Sequence, residues 1–278
     1  MFVKTQRMNK LIPFLAIFFC LISCNKDQPH PVSFRESFVQ LDTHELATYS
    51  AGSNSKYLVV FESGLGNDHT VWQMKKVAEY ISSKMDVVMY DRAGYGKSTI
   101  DTSARAINRL RIELEAVVNQ HAHGRKVILV GHSLGGMVIS DFAIKNPGIV
   151  AALLLVDPSH ETVLQFTQEE EDALYNTMYN SSGPNFGGTK EVRQLIEDAD
   201  YMATLPNLPD VPVIVLTGMK SDPGSTGNTQ DLYNAHELLA SGVTDFTHLA
   251  DPYSGHFIMI DNPVLVTKNL ELLISKLP

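Results

Sequence analysis

Short apolar runs recur along most of the chain, and the stretches between them are long enough for helices. The first two runs, 34–41 and 45–49, are separated by a turn near Asp42 and predict a pair of strands. The later runs are mostly apolar and rich in β-branched residues, which is typical of strands buried on both faces of a parallel sheet. These later runs occupy 57–61, 85–90, 127–130, 152–156, 213–217 and 246–250.

Helix-length stretches lie between these runs and are predicted at 70–82, 102–120, 134–145 and 263–277. Charged and apolar residues alternate over 109–115, which taken alone would favour a strand. Apolar residues at helical spacing around Leu110 and Leu114 favour a helix instead. Alternation of strands and helices predicts an α/β fold with a doubly wound, mostly parallel sheet of eight strands.

Residues 160–205 interrupt this alternation. The stretch is acidic and rich in Asn, Ser and Gly, and it falls between two predicted strands. We interpret it as a helical lid over the carboxyl edge of the sheet, because open α/β sheets bind their ligands at that edge. The alternative is a surface insertion with no part in binding.

The composition is that of a globular protein, with 44% hydrophobic and 19% charged residues. The formal net charge is −9. Proteins that bind nucleic acid need a basic face for the phosphates, so no nucleic-acid partner is expected.

The N-terminal residues 1–23 have the pattern of an export signal. Three basic residues precede an apolar run, 11–23, that is too short to span a bilayer as a helix. The run ends at Cys24 in a sequence that resembles the lipobox of bacterial lipoproteins, in which the cysteine carries lipid. The alternative is an ordinary signal peptide with a chance cysteine, and translation could begin at Met1 or Met8.

This pattern predicts a lipidated Cys24 with a polar tether, 24–33, followed by one domain at 34–278. The protein would then be exported and held on a bacterial membrane, the outer one in our interpretation, through its lipid alone. The two cysteines of the chain are Cys20 and Cys24, so the domain itself would contain no disulfide.

Ser133 is the candidate nucleophile. It stands in Gly131-His132-Ser133-Leu134-Gly135, directly after a predicted strand and before a predicted helix. A tight strand-to-helix turn with flanking glycines presents a serine hydroxyl at the top of the sheet.

A serine hydroxyl needs a general base, and His256 is the candidate. It follows the 246–250 run in a loop at the carboxyl end of a strand. His248 lies inside the strand pattern and is interpreted as structural. His121 and His123 have no evident third ligand, so no metal site is predicted there.

The base in turn needs a carboxylate to orient it. Asp222 follows the 213–217 run and Asp157 ends the 152–156 run, so both lie between Ser133 and His256 in the sequence. Asp222 is preferred and Asp157 is the alternative. The backbone N–H groups of Leu134 and Leu65 are predicted to form an oxyanion hole, Leu65 because it lies in a glycine-rich loop after an early strand.

These motifs, in this order, resemble the α/β-hydrolase fold family over residues from about 34 to 278. The matching segments are 62–66, Tyr90 to Ser98, the Ser133 turn, 218–222 and 254–256. The family loop begins His-Gly where this chain has Ser63-Gly64, and its acid is often three residues after a glycine, whereas Asp222 is four after Gly218.

The resemblance implies a serine hydrolase that cleaves a carboxylic ester or related small acyl compound through an acyl-enzyme, with no cofactor or metal. Alternatives are a non-catalytic binding protein on the same fold, or a peptidase, thioesterase, lactonase or C–C hydrolase. Substrate choice is expected to depend on the lid, where Tyr175, Met178, Tyr179 and Phe186 either line an apolar pocket or attach the lid to the body.

Overall fold

The structure is a computed structural model, and it describes residues 32–52, 54–221 and 229–278. The described residues contain eight strands, and the sequence pattern located each of them to within a few residues. The strands are β1 (Arg35–Gln40), β2 (Glu45–Ala51), β3 (Leu58–Glu62), β4 (Asp86–Tyr90), β5 (Val127–His132), β6 (Val150–Val156), β7 (Val213–Gly218) and β8 (Phe246–Asp251).

The strands form one sheet in the order β1-β2-β4-β3-β5-β6-β7-β8. The pairs β1–β2 and β2–β4 are antiparallel, and every later pair is parallel. All residues of β3, β5, β6 and β7 are buried, as expected for strands covered on both faces. The predicted doubly wound, mostly parallel sheet of eight strands is confirmed.

Nine α-helices lie within the described residues. They are α1 (Val77–Ser82), α2 (Ile107–Ala122), α3 (Leu134–Lys145), α4 (Gln168–Ser182), α5 (Gly187–Val192), α6 (Leu195–Ala203), α7 (Thr229–Leu238), α8 (Ile258–Asp261) and α9 (Pro263–Lys276). The helices α4, α5 and α6 lie within residues 160–205, the stretch between β6 and β7 that interrupts the alternation in the sequence and that we call the insertion.

Two predicted helices begin later than expected. The stretch 70–82 starts as a short 3₁₀ helix, His69–Trp72, and α1 begins only after Lys76, whose φ of 60° interrupts the helical path. The stretch 102–120 becomes helical only at Ile107, because Asp101 accepts hydrogen bonds from the backbone and side chain of Ser103 and holds a turn there.

The apolar core is divided by the sheet. One side packs α2 and α3 against the sheet through residues such as Leu110, Leu114 and Phe142. The other side packs the 3₁₀ helix, α1 and α9 through Trp72, Ile81 and Leu270, respectively. With helices on both faces, the loops at the carboxyl ends of the parallel strands share one edge of the sheet, and the candidate site lies there.

The predicted signal peptide, lipidated Cys24 and most of its tether fall outside the described residues, as does Asp222. Within the part of the chain that the structure describes, no helix combines the length and apolar character needed to cross a membrane.

Candidate active site

Ser133 occupies a strained turn between β5 and α3. Its backbone has φ 53° and ψ −125°, a left-handed conformation that non-glycine residues adopt rarely. The flanking glycines are required by close packing, because a Cβ on Gly131 would lie 2.6 Å from the carbonyl oxygen of Gly135. A Cβ on Gly135 would lie equally close, 2.6 Å, to the carbonyl oxygen of Ser63. The turn therefore presents Ser133 at the carboxyl edge while α3 lies against the loop after β3.

The loop after β3 passes directly beside Ser133. A Cβ on Gly64 would lie 3.0 Å from Cβ of Ser133 and 2.8 Å from Nδ1 of His132, so glycine allows the approach. Ser63, which stands where the resembling family has histidine, donates from Oγ to the carbonyl oxygen of Asp68 at 3.0 Å and shapes the loop. This path of the loop places Leu65, which follows Gly64, at the same cavity as Ser133 and Leu134.

His256 and Asp157 are in direct contact. Nδ1 of His256 lies 2.6 Å from Oδ2 of Asp157, and a carboxylate can only accept, so Nδ1 carries the proton. In the neutral ring this leaves Nε2 as the basic nitrogen. The imidazole is about one-third exposed, at 36%, whereas the carboxylate is almost completely buried, at 3%.

Asp157 directly follows β6 and has a second strained conformation, with φ 45°. Its N–H donates to the carbonyl oxygen of Leu216 at 2.7 Å, and its Oδ1 accepts the N–H of Gly218 at 2.8 Å. Both contacts come from β7, so the β6–β7 pairing sets the position of the carboxylate. The structure thus brings Asp157, the alternative acid, to His256, while the preferred Asp222 lies outside the described residues.

The loop that carries His256 is held by polar contacts on both sides. Asp251, at the end of β8, accepts from the hydroxyl of Ser254 at 2.6 Å and from the side-chain amide of Asn262 at 2.9 Å. From the other side, Nε2 of His132 donates to the carbonyl oxygen of His256 at 3.0 Å. Burial and the neighbouring His256 hold the pKa of His132 well below its usual range, so His132 is a neutral donor.

A buried cation holds the loop after β3. The guanidinium of Arg92 donates to the carbonyl oxygens of Ser63 and Gly64, the latter at 3.0 Å. It also forms ion pairs with Glu62 and with Glu191 of α5, each at 2.8 Å. Burial raises the pKa of Glu62 to about 7, although Arg92 opposes the rise.

Tyr95 extends this network to the next residue of the loop. Its hydroxyl donates to Glu191 at 2.6 Å and accepts the N–H of Gly66 at 3.1 Å. The loop is therefore fixed before and after Leu65, and Glu191 links both attachments to the insertion. The sequence showed Arg92 and Tyr95 only as part of a family-like motif, and nothing in the pattern singled out Glu191.

The cavity beside Ser133 has a volume of about 360 Å³. Ser133 and His256 both line it, and Oγ of Ser159 lies 3.5 Å from Oγ of Ser133. Most apolar side chains of the lining come from the insertion, and these are Val163, Leu164, Phe166, Leu174 and Leu195. The others are Leu65, Leu134, Pro158 and, from α7, Leu232. The cavity can therefore hold an apolar group next to the serine hydroxyl and the imidazole.

The aromatic residues suggested from the sequence are not among those that line this cavity. The Arg193 guanidinium lies over the ring of Tyr175, 3.6 Å from its centroid, and Phe186 packs edge-on against Tyr95. These rings hold the insertion together and attach it to the body of the domain. Of the two roles considered from the sequence, pocket lining or attachment, they have the second.

In the part of the chain that the structure describes, two groups of side chains bring together the ligand types that metals use. His44, Asp101 and Glu113 form one, but the Arg105 guanidinium already pairs with Glu113 there. The other joins Asp68, His69 and Asp91, in which Nδ1 of His69 hydrogen-bonds Asp91 at 2.6 Å. Neither group includes Ser133 or His256.

Comparison with known proteins agrees with this architecture. The Alpha/beta hydrolase family profile matches residues 59–268. The uncharacterized protein YqjL of Bacillus subtilis is 23% identical over 236 residues, which cover 84% of this chain and 90% of that protein. The pimeloyl-(acyl-carrier protein) methyl ester esterase of Proteus mirabilis is 28% identical over 181 residues, covering 60% of this chain and 66% of the esterase.

Among solved structures, a thermophilic esterase from Thermogutta terrifontis superposes with a TM-score of 0.67 at 19% sequence identity. The match covers 87% of this chain and 98% of the esterase chain. At this level of identity the similarity concerns the fold.

Proposed function

Because the chain belongs to the alpha/beta hydrolase family, we propose that it is a serine hydrolase that cleaves a carboxylic ester or a related acyl compound through an acyl-enzyme. The observation that carries the proposal is one cavity lined by Ser133, in its strained turn, and by His256, whose Nδ1 is held by Asp157. A nucleophile, a base and an acid in these roles form the recurring hydrolase triad.

In the proposed reaction, Oγ of Ser133 attacks the substrate carbonyl carbon while Nε2 of His256 takes the hydroxyl proton. The tetrahedral intermediate then collapses, the bond to the leaving group breaks, and His256 returns the proton to the departing oxygen. Water, deprotonated by the same imidazole, attacks the acyl-enzyme and releases the carboxylic acid and free Ser133. Asp157 stabilises the imidazolium that forms in each half-reaction.

Asp157 is proposed as the acid because its carboxylate lies 2.6 Å from Nδ1 of His256 and is oriented by the N–H of Gly218. Asp222, the carboxylate favoured by the sequence pattern, stays a prediction. The backbone N–H groups of Leu65 and Leu134 are proposed to bind the oxyanion, since both residues line the cavity with Ser133. The ties from Arg92 and Tyr95 would hold Leu65 in place.

The proposed substrate carries an apolar acyl or alkyl group, because most of the cavity wall beyond Ser133 is aliphatic or aromatic. Leu164, Phe166, Leu174 and Leu195 of the insertion supply much of that wall, which supports its role as a lid. The esterase of Proteus mirabilis, 28% identical over its matched part, is consistent with an ester as the bond that is cleaved.

Labelling with a fluorophosphonate probe tests the proposal. The wild-type protein should form a covalent adduct, and mass spectrometry should place it on Ser133. Ser133→Ala should not be labelled and should lose at least about 10⁴-fold in kcat on p-nitrophenyl esters. Ser83→Ala, which changes an exposed serine far from the cavity, is the matched control and should behave as wild type. An unlabelled wild-type protein would refute the nucleophile.

We also propose that the enzyme is exported and anchored to a bacterial membrane through lipid on Cys24. The support is the sequence pattern of basic residues, short apolar run and terminal cysteine over 1–24. Growth with an alkyne-tagged fatty acid should label the wild-type protein in the membrane fraction and leave Cys24→Ser unlabelled. Equal labelling of the two would reject the anchor, and Cys20→Ser, inside the predicted signal, is the control.

A further inference from the structure

His160 follows directly after Asp157, Pro158 and Ser159 and has no part in the proposed reaction. Its side chain is buried, with 5% of its surface exposed. It lines the cavity that contains Ser133 and also a second cavity of about 180 Å³. Pro158, Ser159 and His160 line both cavities, so His160 lies in a wall that the two share.

The hydrogen bonds of His160 fix its proton on one nitrogen. The backbone N–H of Thr162 donates to Nδ1 at 3.2 Å, and Oγ1 of Thr162 lies 3.0 Å from the same atom. A backbone N–H can only donate, so Nδ1 is the acceptor and Nε2 carries the hydrogen. Oε2 of Glu161 lies 3.5 Å from Nδ1 but forms no hydrogen bond with it. Burial lowers the pKa of His160, with Glu161 acting in the opposite direction, so the ring is neutral at neutral pH.

The Nε2–H group of His160 has no hydrogen-bond partner in the described part of the chain, and it is not among the buried polar atoms enclosed without one. Nε2 therefore keeps some accessible surface, and His160 lines both cavities. Neither ring nitrogen of His236 accepts from this donor, because Nε2 of His236 donates to the carbonyl oxygen of Pro158 at 2.7 Å and its Nδ1 is paired with Oγ1 of Thr217 at 2.6 Å.

We propose that Nε2–H of His160 donates a hydrogen bond to an oxygen atom in the chain of the substrate, beyond the bond that is cleaved. This rests on the proposed function and narrows its substrate class to oxygen-bearing acyl compounds, such as ether, hydroxy or keto esters. An unbranched hydrocarbon chain leaves this N–H without an acceptor in a mostly apolar cavity, and an unmet buried donor costs binding energy.

Matched fluorophosphonates test this donor without knowledge of the natural substrate. The parent reagent carries an octyl chain, and each analogue has one methylene replaced by an ether oxygen, moved stepwise along the chain. Ser133 attacks phosphorus, the P–F bond breaks and fluoride leaves, so the labelling rate reports how each chain fits. Dividing each rate by the rate of alkaline hydrolysis of the same reagent removes differences in intrinsic reactivity.

The wild-type protein should prefer oxygen at one position, or at two adjacent ones, by about tenfold over the octyl reagent, the value of one neutral hydrogen bond. His160→Phe keeps a ring of similar size without a donor and should lose this preference. His160→Gln retains an N–H donor on a side chain of similar length and should keep part of the preference for oxygen. His123→Gln changes an exposed histidine and should leave the profile as in wild type.

A flat wild-type profile, or the same preference in His160→Phe, would overturn the assignment of His160. The wild-type profile and His160→Gln still decide the question if His160→Phe does not fold. Failure of the serine hydrolase itself looks different, because then no reagent labels Ser133 at all, and the inference falls with it.

Discussion

Acidic side chains are buried both at the carboxyl edge of the sheet and in the helical insertion after β6. The groups that contact these acids differ between the two regions. At the edge, Asp157 accepts from the N–H of Gly218 and contacts His256, a group that gains and loses charge in the proposed reaction. In the insertion, Glu191 pairs with Arg92, whose charge is permanent. Asp198 accepts from the N–H of Ile107 through Oδ1, and its Oδ2 has no partner among the described residues.

This difference separates two uses of a buried charge. A carboxylate beside a titrating imidazole contributes mainly when the imidazole becomes positive, so it acts on the rate of reaction. A carboxylate beside a guanidinium contributes throughout, so it acts on the folded structure and on the loop that it holds. We therefore expect substitutions in the two regions to affect different measurements.

The largest effect is expected at the edge of the sheet. Asp157→Asn should lower kcat by about 10⁴-fold, because an amide cannot stabilise the imidazolium and favours the wrong tautomer. Asp222→Asn, made in parallel, should have a much smaller effect. Steady-state kinetics on a p-nitrophenyl ester checks both. If Asp222→Asn lost more activity than Asp157→Asn, the acid would be Asp222 and the comparison between the two regions would fail.

A smaller effect on rate is expected from Glu191→Gln. Removing this charge leaves Arg92 with Glu62 as its charged partner and loosens the ties to Ser63, Gly64 and Gly66. With the proposed oxyanion donor at Leu65 less well placed, kcat should fall by about ten- to a hundredfold while KM changes little.

Glu171→Gln is the matched control for this effect. Glu171 is also buried in the insertion, but it accepts from the N–H of Ile196 and does not touch the loop after β3. Thermal unfolding should show a loss of stability in both variants, whereas only Glu191→Gln should lose kcat. Equal loss of kcat in the two would mean that the insertion acts on the site only through general stability.

The smallest effect concerns stability alone. Burial raises the pKa of Asp198 to about 8, so the folded protein keeps this proton at pH values where the unfolded chain, near its ordinary 3.8, has lost it. Between these values the folded state binds more protons, and the contribution of Asp198 to stability falls as pH rises, by at most about 1.4 kcal/mol per unit. Above the folded pKa no further loss follows.

Asp198→Asn removes this titration while keeping an oxygen for the N–H of Ile107. Urea unfolding from pH 5 to pH 8 should show the variant gaining on wild type as pH rises. The exposed Asp200→Asn, on the same helix, should follow the wild-type curve. A constant difference between Asp198→Asn and wild type across this range would show that Asp198 is ionised in the folded protein.

The sequence predicted the features that depend on local pattern. The apolar runs located the strands, and the glycines around Ser133 indicated the strained turn, because both signals lie within a few residues. Local pattern could not decide between Asp157 and Asp222 as the acid, because each follows a predicted strand and precedes His256. The left-handed backbone of Asp157 and its bond to Gly218 depend on the pairing of β6 with β7, and no local pattern encodes that contact.

The insertion was the least predictable region for a related reason. The partners of Glu191 lie about a hundred residues earlier in the chain, and burial of an acid at that position follows from tertiary packing alone. The aromatic residues of α4 were candidates for the pocket, yet Tyr175 stacks with Arg193 while aliphatic neighbours such as Leu174 face the cavity. The residue types of α4 indicated that the helix makes apolar contacts. They did not indicate which of its residues face the cavity.

The wall formed by Pro158, Ser159 and His160 affects how the substrate specificity of this protein can evolve. It continues directly from Asp157, so the residues that line both cavities and the residue that contacts His256 belong to one short turn. We expect a mutation there that widens the range of accepted substrates to shift the backbone that holds Asp157. At this turn, a change in substrate specificity would therefore also affect the rate of turnover. We expect substitutions of the aliphatic residues in the insertion to change specificity with less effect on Asp157.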